Sequence, residues 1–410
     1  MSKHYIGQNE FNNKKTFILF LFLLLLPIAI PIGSIGHKPI DVTFSDTLIV
    51  FSLFFLFFRK IKINIKERNV LVFSFLIYIY ILLIGSIGVI VTKGDILPFL
   101  SSLRFSKHLL FVFVALVFYK VFKPNFNDVI KFSAYICALF ISILLFSDLF
   151  LNPGFPTSRW GGVFFGLETY GFPNSIAVFY SLYICFFLIY TYVFKSWFFS
   201  LITLIGSVLI FFSFSRSGWV TLLSVLIPII PYIMLKSKKI MWLYSILIVI
   251  SVYFFVINFN KFYFLIEPWM YKVDTLTGQN VTLSGRELIW KDTFSLILDR
   301  PLLGYFFDPF SNYVMGYDTP HQQYLELIFK MGVLGFLIYF SFVLYLFFCF
   351  FYSGYKGVFS FKVTAFTFFM FFLGVSLSNF GQPNLSFSLL ANALVFYISL
   401  FYFIFRVREV

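Results

Sequence analysis

Long runs of apolar residues, separated by shorter polar stretches, make up most of this chain. A helix needs roughly 20 residues to cross the hydrocarbon core of a bilayer, with some latitude for tilt. Runs of this size predict an all-α polytopic membrane protein with about 12 transmembrane helices. The predicted spans are 17–36, 43–58, 70–92, 108–122, 129–151, 173–194, 197–213, 219–235, 240–258, 323–351, 359–378 and 385–405.

One long polar segment interrupts the second half of the chain, at residues 259–322. It is too polar to remain in hydrocarbon, and an amphipathic stretch that follows Ser284 predicts a short helix within it. We therefore expect one large loop that contains short helices and carries the active site. The chain as a whole, 1–410, is predicted to form a single integral membrane domain, because no soluble domain, flexible linker or fixed repeat is visible.

Composition and charge support this architecture. The chain is 60% hydrophobic and only 12% charged, which excludes an ordinary soluble domain with about 25% charged residues. Its net charge of +14 is explained by membrane sidedness, because the predicted cytoplasmic segments hold most of the Lys and Arg residues. We therefore expect membrane lipids, and no nucleic acid, as the partners of these basic loops.

The same charge distribution predicts the orientation. Lys3, Lys14 and Lys15 precede the first span without a small-residue cleavage site after it, so this span is predicted to be an uncleaved signal anchor. Both termini are then cytoplasmic, and the 259–322 loop lies on the opposite face, away from ATP and nucleotide sugars.

No cofactor or metal is expected from the motifs. The three cysteines, Cys137, Cys185 and Cys349, lie within apolar runs, where a thiol behaves as a small hydrophobic group. The chain also lacks an Asp-x-Asp pair, a phosphate-binding glycine loop and a histidine pair at helical spacing.

Two arginines are the strongest candidates for binding an anion. Arg216 lies at the end of an apolar helix in Ser215-Arg216-Ser217-Gly218, where an arginine either reaches the headgroups or pairs with an anion. Arg286 is predicted in the first turn of the loop helix, where a cation opposes the helix dipole unless an anion completes the site. The alternative for Arg286 is an ordinary surface arginine.

His321 is the candidate general base. It follows Pro320 in the same loop as Arg286, whereas the other histidines lie outside any polar cluster. An imidazole accepts a proton at neutral pH, so it suits the activation of a hydroxyl group, although a lone loop histidine is often structural. Two guanidinium groups and one imidazole together suit a multiply charged phosphate and a hydroxyl nucleophile. The secondary candidates for substrate contact are Arg159, Glu168, Arg300 and Tyr324.

These motifs occur in one order along the chain, and that order carries a family resemblance. They are Ser215-Arg216-Ser217-Gly218, then Gly285-Arg286 with Trp290, then Arg300-Pro301-Leu302-Leu303-Gly304-Tyr305, then Pro320-His321-Gln322-Gln323-Tyr324-Leu325-Glu326-Leu327, and finally Gly332-Val333-Leu334-Gly335. The sequence resembles the O-antigen polymerase and ligase superfamily of bacterial inner membranes over about residues 210–340. Gln322 stands where the family usually has Asn.

The resemblance implies a metal-independent glycosyltransferase that uses undecaprenyl-diphosphate-linked oligosaccharides at the periplasmic face. Arg216 and Arg286 would bind the diphosphate, and His321 would activate the acceptor hydroxyl. The modest loop and Gln323, where family ligases tend to have an acidic residue, favour an O-antigen polymerase. A chain-length regulator and a flippase are the protein partners that the resemblance implies. The alternatives are an O-antigen ligase that transfers glycan to lipid A-core and, from another class, a lipid-linked sugar flippase or transporter.

Overall fold

The computed structural model describes most of the helical part of the chain. The described residues are 29–35, 38–58, 61–151, 163–164, 167–168, 173–213, 215–236, 286–380 and 388–407, with isolated residues at 242, 245–246, 249, 253, 256–257, 272–273 and 280–281.

Helices dominate these residues. They are α1 Phe44–Phe58, α2 Ile65–Val91, α3 Leu97–Ser106, α4 Phe111–Phe122, α5 Phe126–Leu151, α6 Pro173–Phe194, α7 Trp197–Phe212, α8 Arg216–Lys236, α9 Arg286–Asp299, α10 Gln323–Lys356, α11 Phe359–Ser378 and α12 Ser388–Val407. A 3-10 turn, Lys107–Leu110, joins α3 to α4. Three antiparallel strand pairs accompany the helices: β1 Ala29–Ile35 with β2 Lys38–Thr43, β3 Val163–Phe164 with β4 Leu167–Glu168, and β5 Lys272–Val273 with β6 Asn280–Val281.

The predicted helical membrane-protein class is confirmed. Within the described residues, six helices are long and apolar enough to cross a membrane: Ile65–Val91, Leu97–Phe122, Phe126–Ile143, Ala177–Phe194, Gln323–Lys356 and Phe359–Ser378. Four shorter apolar helices accompany them: Asp46–Leu56, Trp197–Phe211, Arg216–Pro231 and Leu390–Arg406.

Two predicted spans differ from the structure. The first was predicted to be helical over 17–36, but residues 29–35 form strand β1, because Pro31 and Gly33 disfavour a helix there. The fourth was predicted over 108–122, but the helical path begins at Leu97. The first half of this helical path, residues 97–107, was not predicted because it contains polar residues such as Arg104 and Lys107. The charge of Lys107 is neutralised by Asp46 at 3.0 Å. The predicted span 240–258 lies almost wholly outside the described residues.

Small residues let several helices approach closely. A Cβ added to Gly374 of α11 would lie 2.9 Å from the Cα of Thr221 in α8. A Cβ added to Gly218 of α8 would lie 2.5 Å from the Cβ of Ala177 in α6. Such contacts are typical of helices that pack in a membrane. Because Gly374 lies near the end of α11 and Thr221 near the start of α8, the end of α11 and Arg216 lie at the same end of the bundle.

Helix α10 is broken at Gly332, which has φ 68° and ψ 178°. This backbone region is essentially restricted to glycine. In an unbroken helix the amides of Val333 and Leu334 would pair with the carbonyls of Phe329 and Lys330, one turn earlier. The break leaves these groups in need of other partners inside a predicted membrane span.

The segment Pro301–Phe307, which we call the clasp, provides those partners. It donates to two carbonyls before the break and accepts from two amides after it. The four bonds are Tyr305 N–H to Phe329 O at 2.7 Å, Phe307 N–H to Lys330 O at 3.1 Å, Val333 N–H to Pro301 O at 2.8 Å and Leu334 N–H to Leu302 O at 3.4 Å. The conspicuous Pro301-Leu302-Leu303-Gly304 and Gly332-Val333-Leu334-Gly335 motifs are therefore two sides of one backbone contact.

Candidate functional site

Helix α9 is fixed against the segment that precedes His321. The indole Nε1–H of Trp290 donates a hydrogen bond of 3.0 Å to the carbonyl of Pro320. Another face of α9 buries Ile289 and Ile297 in a cluster with Tyr305 and Phe329. Arg286 is the first residue of this helix, one turn before Trp290, so these contacts bring Arg286 toward His321.

The backbone at His321 adopts an unusual conformation. Its φ is +53°, in the left-handed region, and its N–H donates to Thr319 Oγ1 at 3.2 Å. A left-handed conformation in a non-glycine residue has an energetic cost and often occurs at functional sites. The surrounding contacts therefore stabilise this backbone conformation, which directs the imidazole differently from a residue in an extended loop.

The electrostatic surroundings of His321 favour a neutral imidazole. Burial lowers its pKa below the ordinary value, and the positive charge of Arg286 lowers the pKa further. Glu326 and Asp318 act in the opposite direction with smaller effects. A neutral ring at physiological pH is the form that accepts a proton, so this position is suited to general-base chemistry.

The contribution of Asp318 predicts a shift in the pH profile. Its carboxylate stabilises the protonated imidazole, so Asp318→Asn should lower the pKa of His321 and move the acid limb of the activity profile to lower pH. Activity at neutral pH should change little. The measurement is the initial rate of the catalysed reaction between pH 5 and 8. An acid limb that moved to higher pH would contradict the assignment of His321 as the titrating group.

The start of α10 is bonded to the end of α11. Gln323 N–H donates to Asn379 O at 3.0 Å, and the Tyr324 hydroxyl donates to Ser376 O at 2.8 Å. The side chain of Gln322 caps α10 by accepting from Leu325 N–H. We call Gln322–Tyr324 and Ser376–Asn379 together the α10–α11 junction. It adjoins His321 directly in the sequence.

Arg216 is the first residue of α8 and is exposed, between the buried Ser215 and Ser217. The Ser215 hydroxyl accepts from Gly218 N–H at 3.1 Å, which helps to fix this helix start. Since α8 packs on α11, Arg216 lies at the end of the bundle that carries the α10–α11 junction. The structure thus brings Arg286 close to His321 and places Arg216 at the same end of the bundle, on a neighbouring helix.

The secondary candidates have different surroundings. The guanidinium of Arg300 lies 5.0 Å from the centroid of the Tyr305 ring, over its face, at the edge of the clasp. Tyr324 uses its hydroxyl proton within the junction. Glu168 lies in strand β4, and Arg159 lies outside the described residues.

Two buried polar residues near His321 were not identified from the sequence. Glu326 is 2% exposed and pairs with Lys330 at 2.5 Å through Oε1. Asn379 ends α11 and is fully buried. Each lies within or beside an apolar run, where a single polar residue gives little signal of a role. Within the part of the chain that the structure describes, no group of three or more His, Cys, Asp or Glu is arranged to hold a metal ion.

Comparison with protein-family models matches residues 199–340 to a family described as O-antigen ligase. The matched range includes Arg216, Arg286, the clasp, His321 and the break in α10. A search of curated proteins found no match to the chain.

Proposed function

Because residues 199–340 link this chain to the O-antigen polymerase and ligase superfamily, we propose that it is a surface-polysaccharide polymerase. In this proposal it joins undecaprenyl-diphosphate-linked repeat units at the periplasmic face of the bacterial inner membrane. The loop 259–322 faces the periplasm, and both termini are cytoplasmic. The positive charge of the predicted cytoplasmic segments supports this orientation.

The observation that supports the proposal is the hydrogen bond of 3.0 Å from Trp290 to Pro320, which holds the helix that begins at Arg286 beside the partly buried His321. From this position the charge of Arg286 lowers the pKa of the imidazole. An acceptor hydroxyl attacks the anomeric carbon of the donor, a new carbon–oxygen bond forms there, and the bond to the diphosphate breaks. His321 takes the hydroxyl proton, because its pKa is lowered and its ring is neutral. The diphosphate leaves with the polyprenyl chain.

Arg216 and Arg286 stabilise the departing diphosphate in this mechanism. Arginine suits the task because its planar guanidinium binds two phosphate oxygens at once and stays charged. Arg286 begins helix α9, where free backbone amides and the positive end of the helix dipole also favour an anion. Before the diphosphate binds, the positive charge of Arg286 also lowers the pKa of His321, so the imidazole is neutral in the free enzyme.

A ligase that transfers the glycan to lipid A-core is the second candidate, favoured by the description of the matched family. Both activities use a polyprenyl-diphosphate-linked glycan as the donor and break the bond between its anomeric carbon and the diphosphate, so they differ only in the acceptor. A flippase is less well supported, because the candidate polar groups gather at one end of the described bundle and not near the middle of the spans.

Deletion of the gene in its native host separates these functions by the product that accumulates. Loss of a polymerase should leave single repeat units on lipid A-core and no long chains. Loss of a ligase should instead leave long chains on the polyprenyl carrier with none on lipid A-core. A flippase mutant should retain the lipid-linked repeat unit on the cytoplasmic face. Either of the last two patterns would overturn the polymerase assignment.

A further inference from the structure

We propose that the side-chain amide of Asn379 is a substrate contact that binds a hydroxyl group of the sugar that reacts beside His321. The inference rests on the proposed function and deepens it, because it separates a sugar-binding part of the site from the part that holds the diphosphate. It is drawn from three features of the α10–α11 junction.

The first feature is an amide without a partner. Asn379 is 0% exposed, and neither Oδ1 nor Nδ2 has a hydrogen-bond partner among the described residues. The Tyr324 hydroxyl lies beside this amide and donates its proton to Ser376 O at 2.8 Å, so it can only accept from Nδ2 and leaves Oδ1 without a donor. Buried amides are almost always paired in folded proteins, so an unpaired one needs an explanation such as a ligand.

The second feature is the position of this amide. The backbone carbonyl of Asn379 accepts from Gln323 N–H at 3.0 Å, only two residues beyond His321. One turn earlier in α11, Gly374 packs against Thr221 in the second turn of α8, which begins at Arg216. Asn379 therefore lies on the structural path that joins the proposed base to one of the proposed diphosphate ligands.

The third feature is a second unpaired polar atom close by. Glu326 shares a helix face with Gln323, one turn further along α10. Its Oε1 is paired with Lys330, but its buried Oε2 has no partner among the described residues. Two orphaned polar groups thus lie near one junction, on two different helices.

The chemistry of these groups selects the ligand. An amide presents both donors and an acceptor, and a carboxylate presents only acceptors. A sugar hydroxyl both donates and accepts, so it satisfies either group. A phosphate only accepts, so it would leave Asn379 Oδ1 unpaired and would be repelled by Glu326. The two residues therefore suit a neutral, polyhydroxylated ring, while Arg216 and Arg286 suit the charged diphosphate.

The test combines stability with activity. Asn379→Leu has a similar volume and removes the unpaired amide, so the purified protein in detergent should unfold at the same temperature as the wild type or higher. Expressed in the deletion host, it should extend surface glycan about tenfold more slowly at equal membrane abundance, as expected for the loss of a hydrogen bond of about 1.4 kcal/mol. The matched control is Thr367→Val. Thr367 is a buried residue of α11 whose hydroxyl donates to Val363 O at 2.8 Å, and this variant should extend glycan at the wild-type rate.

Wild-type extension by Asn379→Leu would overturn the inference. If Asn379→Leu fails to accumulate, the comparison of Asn379→Ser with Asn379→Ala decides: a more active serine variant supports a hydroxyl contact, and equal activities overturn it. His321→Asn, assayed in parallel, separates the two proposals. If the His321→Asn variant is active, the proposed function itself is overturned. If His321→Asn is inactive while Asn379→Leu is fully active, only this inference is overturned.

Discussion

Replacing His321 by alanine or asparagine should abolish long-chain surface glycan while the protein remains inserted in the membrane. Loss of a positioned general base typically lowers the rate about 100- to 10,000-fold. Asparagine is the more informative replacement, because it tolerates the left-handed backbone found at this position and yet cannot accept the proton. A loss seen with both variants therefore reports the imidazole and not the backbone.

The measurement is the glycan length distribution in a deletion host that carries each variant, normalised to the amount of protein in the membrane. Arg286→Ala and Arg216→Ala are expected to be equally severe, because in the proposed mechanism each variant removes one of the two guanidinium groups that bind the departing diphosphate. Lys291→Ala is a suitable control, since Lys291 is an exposed cation of the same helix α9. Full-length chains from the His321 and both arginine variants would show that the site lies elsewhere.

Gly332→Ala is expected to have the largest effect on stability. A Cβ at this position would lie 2.0 Å from the carbonyl oxygen of Leu302, and the backbone conformation is one that alanine does not adopt. The variant must therefore separate the clasp from α10 and lose their shared hydrogen bonds. We expect destabilisation of more than about 4 kcal/mol, which is a large part of the roughly 5–15 kcal/mol that separates the folded and unfolded states of most proteins.

Gly316→Ala is the matched control for this experiment. Gly316 also has a positive φ, +83°, but an added Cβ would meet no atom within 4 Å. Its replacement by alanine should lower the free energy of unfolding by only about 1–2 kcal/mol, the cost of a left-handed backbone conformation in a residue with a Cβ. Thermal unfolding in detergent and the yield of monodisperse protein measure the difference; equal stability of the two variants would mean that the clasp contact does not hold α10 together.

Much of the helical fold follows from the pattern of apolar residues. Helices α6 and α11 begin and end where the sequence predicts, because Pro173 and the polar residues around Gly357 interrupt the apolar runs. The helical path from Leu97 was missed in its first half, since Arg104 and Lys107 resemble loop residues until Asp46 is known to pair with Lys107. That pairing joins positions 61 residues apart, which no local pattern contains.

In the candidate site too, local sequence predicts the residue types, whereas their arrangement depends on contacts between distant positions. From the sequence alone, the residue type at Arg286 indicates an anion-binding group, and the residue type at His321 indicates a general base. Their proximity depends on the bond between Trp290 and Pro320, which are 30 residues apart. Asn379 gave no signal at all, because a polar residue at the end of a span is commonplace; only its burial without a partner distinguishes it.

The clasp also bears on how the protein is made. It precedes α10 in the chain, so it emerges from the ribosome before the helix whose broken backbone it must pair. Until the two meet, the four peptide groups of α10 that pair with the clasp can pair only with one another, as they do in an unbroken helix, because lipid tails offer no hydrogen-bond partners. We therefore expect the nascent α10 to enter the bilayer as an unbroken helix and to bend at Gly332 only when the clasp docks, which makes this bend a late step of assembly.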